Sequence, residues 1–160
     1  MDIQTLMGTI LLGIAPISEL RGAIPFAYFR GYPLWQAALL GAGANLCVSP
    51  LVYLFLTYFH AFFYARWKLY IRIFDHTVAR ARAKLGPKVQ TYGMWGVLLF
   101  VGIPLPITGA WTGTLGAWVF GLHRRRSMLA ASGGVILSAT IVSLILLLGS
   151  GVGSIFIKMV

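Results

Sequence analysis

The chain has 160 residues, 59% of them hydrophobic and 10% charged, and a mean hydropathy of +0.85. That profile excludes ordinary soluble usage and fits one polytopic membrane domain, all-α, in the cytoplasmic membrane. A net charge of +10 would point to nucleic acid in a soluble chain. Here the basic residues fall in short stretches between apolar runs, the pattern of the positive-inside rule, so the expected partners are membrane lipids and not nucleic acid.

No Lys or Arg precedes the first apolar run, so the basic n-region of a cleaved signal peptide is missing and the amino terminus is expected to be retained. Ile3 to Ile14 is apolar, and a helix of that length reaches about 18 Å into a hydrocarbon core about 30 Å thick. It stops at Ala15-Pro16, where a polar element begins. There Ser18, Glu19, Arg21 and Gly22 lie between Pro16 and Pro25, and Glu19 is the one acid of three that hydrocarbon could surround. Ionisable groups at membrane depth face a cavity or a partner and mark a path for ions, protons or substrate. Two prolines so close predict irregular backbone, tolerated at that depth only where it is buried or lines a cavity. The bland alternative is an interfacial pair with Arg21 snorkelling to the headgroups. Ala23 to Arg30 is again short and apolar before Gly31-Tyr32-Pro33. A re-entrant hairpin fits these lengths, and one slanted span from Ile3 to about Pro25 is the alternative.

Leu34 to Phe63 is a nearly uncharged run long enough to span. Gly41, Gly43 and Ala44 would allow close helix packing, with Asn45 as an interhelical hydrogen-bonding group; Pro50 predicts a kink. Cys47 sits among small apolar residues and reads as a buried, inert thiol, with no disulfide framework possible. Tyr64 to Gln90 carries seven cations against Asp75 alone. Trp67, Tyr70, Ile71, Phe74 and Val78 make one apolar stripe, so an amphipathic cytoplasmic helix is expected, ended by Gly86-Pro87. His60 and His76 have no partner at metal-ligand spacing, and no metal or cofactor site is expected.

Gly93 to Ile103 is a second short apolar segment, about 16 Å long as a helix. It runs into Pro104-Leu105-Pro106-Ile107-Thr108-Gly109-Ala110-Trp111-Thr112-Gly113, again a helix-breaking element. Leu115 to Leu122 leads out to His123 and Arg124 to Arg126, and Ser127 to Ser150 is a second span, with Gly133 and Gly134 as packing residues and Gly149-Ser150-Gly151 closing it. An offset of 90 residues sets Pro16 on Pro106, Ile17 on Ile107, Ser18 on Thr108, Ala27 on Ala117, Gly31 on Gly121, Leu39 on Leu129 and Gly43 on Gly133. The expected organisation is two repeats, about 1–63 and 91–150, a linker at 64–90 and a tail at 151–160. A hairpin plus one span crosses the membrane an odd number of times, so the second unit must be inverted, as in many secondary transporters. Both the linker and the arginine triplet then lie inside.

The elements from Ser18 to Pro25 and from Pro104 to Gly113 resemble those of the bacterial and archaeal small multi-drug export family over nearly the whole chain. More distantly, the hairpin-plus-helix pattern looks like the DedA or VTT superfamily, which includes proton-linked undecaprenyl phosphate translocases and lipid scramblases. That likeness implies an essential acid after the first hairpin turn, matched by Glu19 after Pro16. The superfamily's second-hairpin arginines are absent beside Pro106 and Gly109, so Arg21 would have to hold a lipid phosphate. The expected function is a small transporter or lipid flippase, with Glu19 taking up a proton, Arg21 holding an anionic headgroup and Thr108, Trp111 and Thr112 on the opposite wall. A homodimer or higher homo-oligomer is expected to enclose the path. The alternatives are a four-helix exporter using Glu19 as proton or cation carrier, and a non-transporting factor acting through the basic linker. Nothing resembles a nucleophile with its base, so an enzyme is not expected.

Overall fold

A helix bonds its own backbone without water, and all regular structure among the described residues is helical. The computed structural model describes residues 2–105 and 108–157, with side chains described for all of these except 81, 84–91 and 150–157. The helices are α1 (Ile3–Ile14), α2 (Glu19–Phe29), α3 (Leu34–Leu46), α4 (Val48–Tyr58), α5 (His60–Arg66), α6 (Lys68–Tyr92), α7 (Met94–Gly102), α8 (Ala110–Val119) and α9 (Arg124–Ile157). Two stretches, Leu34–Tyr58 and Arg124–Gly149, are long and apolar enough to cross a membrane. The first is interrupted at Cys47, between α3 and α4, where Pro50 has no N–H for the Leu46 carbonyl four residues back.

α1 and α2 pack on each other, and their outer ends meet. The Asp2 side chain caps α1 by accepting from the Thr5 N–H at 3.3 Å. The same side chain accepts from the Tyr32 hydroxyl at 3.1 Å, and that hydroxyl accepts from the Asp2 N–H at 2.7 Å. Residues 2–32 therefore double back, and the single slanted segment from Ile3 to Pro25 is not what forms.

The 90-residue offset recurs in the backbone. α2 ends at Phe29 and α8 at Val119; α3 begins at Leu34 and α9 at Arg124. Tyr32 N–H donates to the Ala27 carbonyl at 3.2 Å and Leu122 N–H to the Ala117 carbonyl at 3.0 Å. Gly31 and Gly121, with φ of 88° and 67°, supply the left-handed residue these turns need.

Four local expectations are corrected. α2 runs through Pro25, so only Ala15–Ser18 breaks the first helical pair. A proline inside a helix removes one donor, whereas unwinding the turn would strand several. α6 continues through Gly86-Pro87 to Tyr92, for the same reason, and stops at Gly93, whose φ is 55°. α9 continues past Gly149 to Ile157, since glycine weakens a helix but ends it only where the chain turns left-handed. Cys47 is exposed, on the outer face with Gly43 one turn before it, because a lipid-facing surface gives an apolar residue no reason to bury.

Burial follows the same logic. The interior is rich in Ala, Gly and Val, with Leu20, Ile24, Leu56 and Phe100 and the polar Thr5, Thr9, Asn45, Ser49 and Thr114 among them, while Leu39, Leu129 and Leu148 face outward. Small residues inside and large apolar ones outside are the distribution of a membrane helix bundle. Ser49 of α4 and Thr114 of α8 share a buried hydrogen bond of 2.6 Å that joins the halves.

Candidate functional site

Ala15 N–H makes the last helical bond of α1, to Leu11 O at 2.9 Å, and the carbonyls of residues 12 to 14 are left without helical partners. Each finds another donor. Ser18 Oγ donates to Leu12 O at 2.6 Å, Asn45 Nδ2 of α3 to Gly13 O at 2.7 Å and Trp111 Nε1 of α8 to Ile14 O at 2.7 Å. The broken backbone is thus closed by three side chains from three parts of the sequence, which is the condition for such a break to lie away from water.

Glu19 follows directly. Only 6% exposed, it has a φ of 45°, a left-handed conformation unusual for a residue with a Cβ. The turn sends its carboxyl group into the other half. Oε2 accepts from Ala110 N–H at 3.2 Å and Oε1 from Trp111 N–H at 3.3 Å. These are the first two amides of α8, so an acid from one half caps a helix of the other at its positive end. Gly109 makes room, since a Cβ there would overlap the Glu19 carboxyl group.

Arg21 reaches across in the opposite electrical sense. Its Nη1 donates to the Leu105 carbonyl and its Nη2 to the Thr108 carbonyl at 3.3 Å, both in the second break. Guanidinium binding to carbonyls just past the C-terminal end of α7 complements the negative end of that helix. Thr108 holds the break from inside, accepting from Leu105 N–H at 3.2 Å while its hydroxyl lies 2.9 Å from Ile103 O and 2.8 Å from Leu105 O. Glu19 and Arg21 form no ion pair; each engages backbone of the opposite half.

The structure therefore brings together Ser18, Glu19, Arg21, Thr108, Gly109 and Trp111. Thr112 Oγ1 lies 3.5 Å from Gly109 O, at the edge of the same cluster. Pro16, Trp111 and Thr112 also line an apolar cavity of about 240 Å³ that opens toward α6. Pro25 lies with Arg21 and Pro104 along a separate groove. Pro106 lies outside the described residues. Of the packing residues, Gly41 lies against Ile24 and Gly134 against Val101, each where a Cβ would intrude, and Gly133 lies against Leu98; Gly43 meets nothing within 4 Å. Sequence reasoning missed Gly13, against which Ala44 packs, and the Ser49–Thr114 bond. The only signal for the latter was a hydroxyl on each of two apolar segments.

The family described as "Putative small multi-drug export protein" matches residues 19–141, a stretch that begins at Glu19, just after the first break, and includes the second. No curated protein and no solved structure matches the chain.

Proposed function

We propose a transport function from a plain premise: the chain belongs to the small multi-drug export family. The premise and two membrane-length apolar helices support a membrane transporter rather than an enzyme. The finer reading has α1–α2 and α7–α8 as re-entrant pairs entering from opposite faces, with their breaks meeting near the midplane in an inverted repeat. Support comes from the doubling back of residues 2–32, the short helices and the matched turns 90 residues apart.

One observation carries the mechanism: Glu19, the one buried acid, is bound to the first amides of α8. A carboxylate accepts at both oxygens, whereas a carboxylic acid has one oxygen bearing a hydrogen to donate. Proton uptake at Glu19 therefore weakens one of its two hydrogen bonds to α8 and loosens that helix against the first half. Arg21 is bound to the Leu105 and Thr108 carbonyls at rest, so an anionic headgroup would have to displace them, and the guanidinium then follows the substrate. The proposed cycle moves an amphipathic or lipid-like substrate between the two breaks as these ties open and close.

Reconstitution tests it. Vesicles containing the protein are assayed for dithionite quenching of fluorescent phosphatidylglycerol and for ethidium uptake under a proton gradient. One activity is expected, falling at least tenfold in Glu19→Gln and in Arg21→Ala. Wild-type rates in both variants, each still monodisperse in detergent, would remove the site.

A further inference from the structure

Asp75 is outnumbered by seven cations in residues 64–90, and Arg72 stands one helical turn before it. An acid so placed is expected to pair along the helix. It does not. Among the described residues its carboxylate accepts from the Tyr64 hydroxyl alone, at 3.1 and 3.4 Å. It turns instead toward a cavity of about 470 Å³ lined by His60, Tyr64, Phe74, Trp118 and Arg82. The rings form one cluster: His60 lies 4.2 Å from Phe74 and 5.5 Å from Trp118, and Tyr64 lies 6.0 Å from Phe74, centroid to centroid. Asp75 makes no ion pair among the described residues even with Arg82 on the same cavity, and a carboxylate beside several aromatic rings is the chemistry that recognises an organic ammonium group.

A second observation gives the ligand its other half. The apolar cavity of about 240 Å³ described above shares Phe74 with this one. Its walls include Val52, Leu56, Ile73 and Leu115, and it ends at Pro16 and Trp111, beside the first break. A polar cavity with an unpaired acid thus adjoins an apolar cavity across one ring.

We propose that the two adjoining cavities beneath α6 form a binding site for an amphiphile with an organic ammonium head. The head sits between Asp75, Tyr64 and Trp118, and the apolar body lies past Phe74 toward Trp111. Arg82 lines the head cavity with like charge and opposes binding there. The assignment goes beyond the transport reading, whose Arg21 engages an anionic group, and binding is measured apart from movement.

Full-length protein in dodecyl maltoside is dialysed to equilibrium against radiolabelled hexyltrimethylammonium. Saturable binding is expected, weakened at least tenfold by Asp75→Asn and tightened by Arg82→Gln. Asp75 and Arg82 are exposed, and a gel-filtration profile like that of the wild type confirms that each variant folds. Competition by phosphatidylethanolamine but not phosphatidylglycerol identifies a lipid headgroup as the source of the ammonium; competition by neither identifies a soluble amphiphile. Absent saturable binding, equal binding by Asp75→Asn, or equal competition by the uncharged carbon isostere overturns the site. Saturable ammonium binding by wild-type protein that moves neither transport probe leaves this inference standing, and transport without ammonium binding leaves the transport reading standing.

Discussion

Glu19 was conspicuous in the sequence by scarcity, being one of three acids and the one flanked by apolar runs. Its partners were not legible, because they are the backbone amides of residues 110 and 111, which carry no side-chain signal. Arg21 was read as a ligand clamp for the same reason: nothing in a sequence marks the carbonyls of Leu105 and Thr108 as its partners. Two substitutions probe the contacts themselves. In Gly109→Ala the new methyl overlaps the Glu19 carboxyl group, and a loss of about 1–3 kcal/mol is expected for such overpacking. Thermal unfolding in detergent should show it as a lowered Tm, and an unchanged Tm would mean that Glu19 does not approach α8 this closely. Asn45→Ala strips Gly13 O of its donor in the interior, where an unsatisfied group costs about 1–3 kcal/mol. The same measurement checks it, and Asn45→Gln, one methylene longer, should not restore the wild-type Tm.

At the scale of elements, the first helix was legible to the residue, since the apolar run from Ile3 to Ile14 is bounded by Asp2 and by Ala15-Pro16, a cap and a breaker. The ends of α6 and α9 were not. Glycine and proline punctuate a sequence, but packing of α6 against α7 and α8 and continuation of α9 outweigh one or two lost bonds. The junction of α5 with α6 depends on His60, which stacks on Phe74 and lies 2.9 Å from the Tyr70 hydroxyl. Burial lowers its pKa, with Asp75 acting the other way, while Tyr64 and Tyr70 face it uncharged at neutral pH. A lowered value means that the folded state prefers neutral imidazole. Its contribution is whole above the ordinary histidine value, about 6.5, and is lost as pH falls through the lowered folded one. Amides of α5 should therefore exchange faster at pH 5 than at pH 8 after correction for intrinsic rates, and His60→Phe should abolish the difference. Equal protection at both pH values in the wild type would contradict this. Between the halves, Ser49→Ala and Thr114→Val are expected to be non-additive, because each alone strands the other's hydroxyl and the pair together strands neither.

For the whole molecule, two apolar spans and the 90-residue offset could be read from composition and punctuation; the structure has two helices long and apolar enough to cross a membrane, and helix ends and turns 90 residues apart coincide. What could not be read is how one half closes the other's broken backbone. That closure is made by Trp111 on Ile14, Glu19 on α8 and Arg21 on Leu105, contacts more than 80 residues apart in sequence. The central claim is that the two short-helix pairs enter from opposite faces and meet at these contacts. Side-specific labelling tests it most directly. In a Cys47→Ala background, single cysteines replace the exposed residues Arg30, Arg80 and Arg125, and intact cells are treated with a membrane-impermeant thiol reagent. Paired re-entrant units place Arg30 outside and both Arg80 and Arg125 inside, so labelling at the first position alone is expected. Labelling at Arg125→Cys with protection at Arg80→Cys would mean four full crossings, and the meeting of two hairpins at Glu19 and Arg21 would be contradicted.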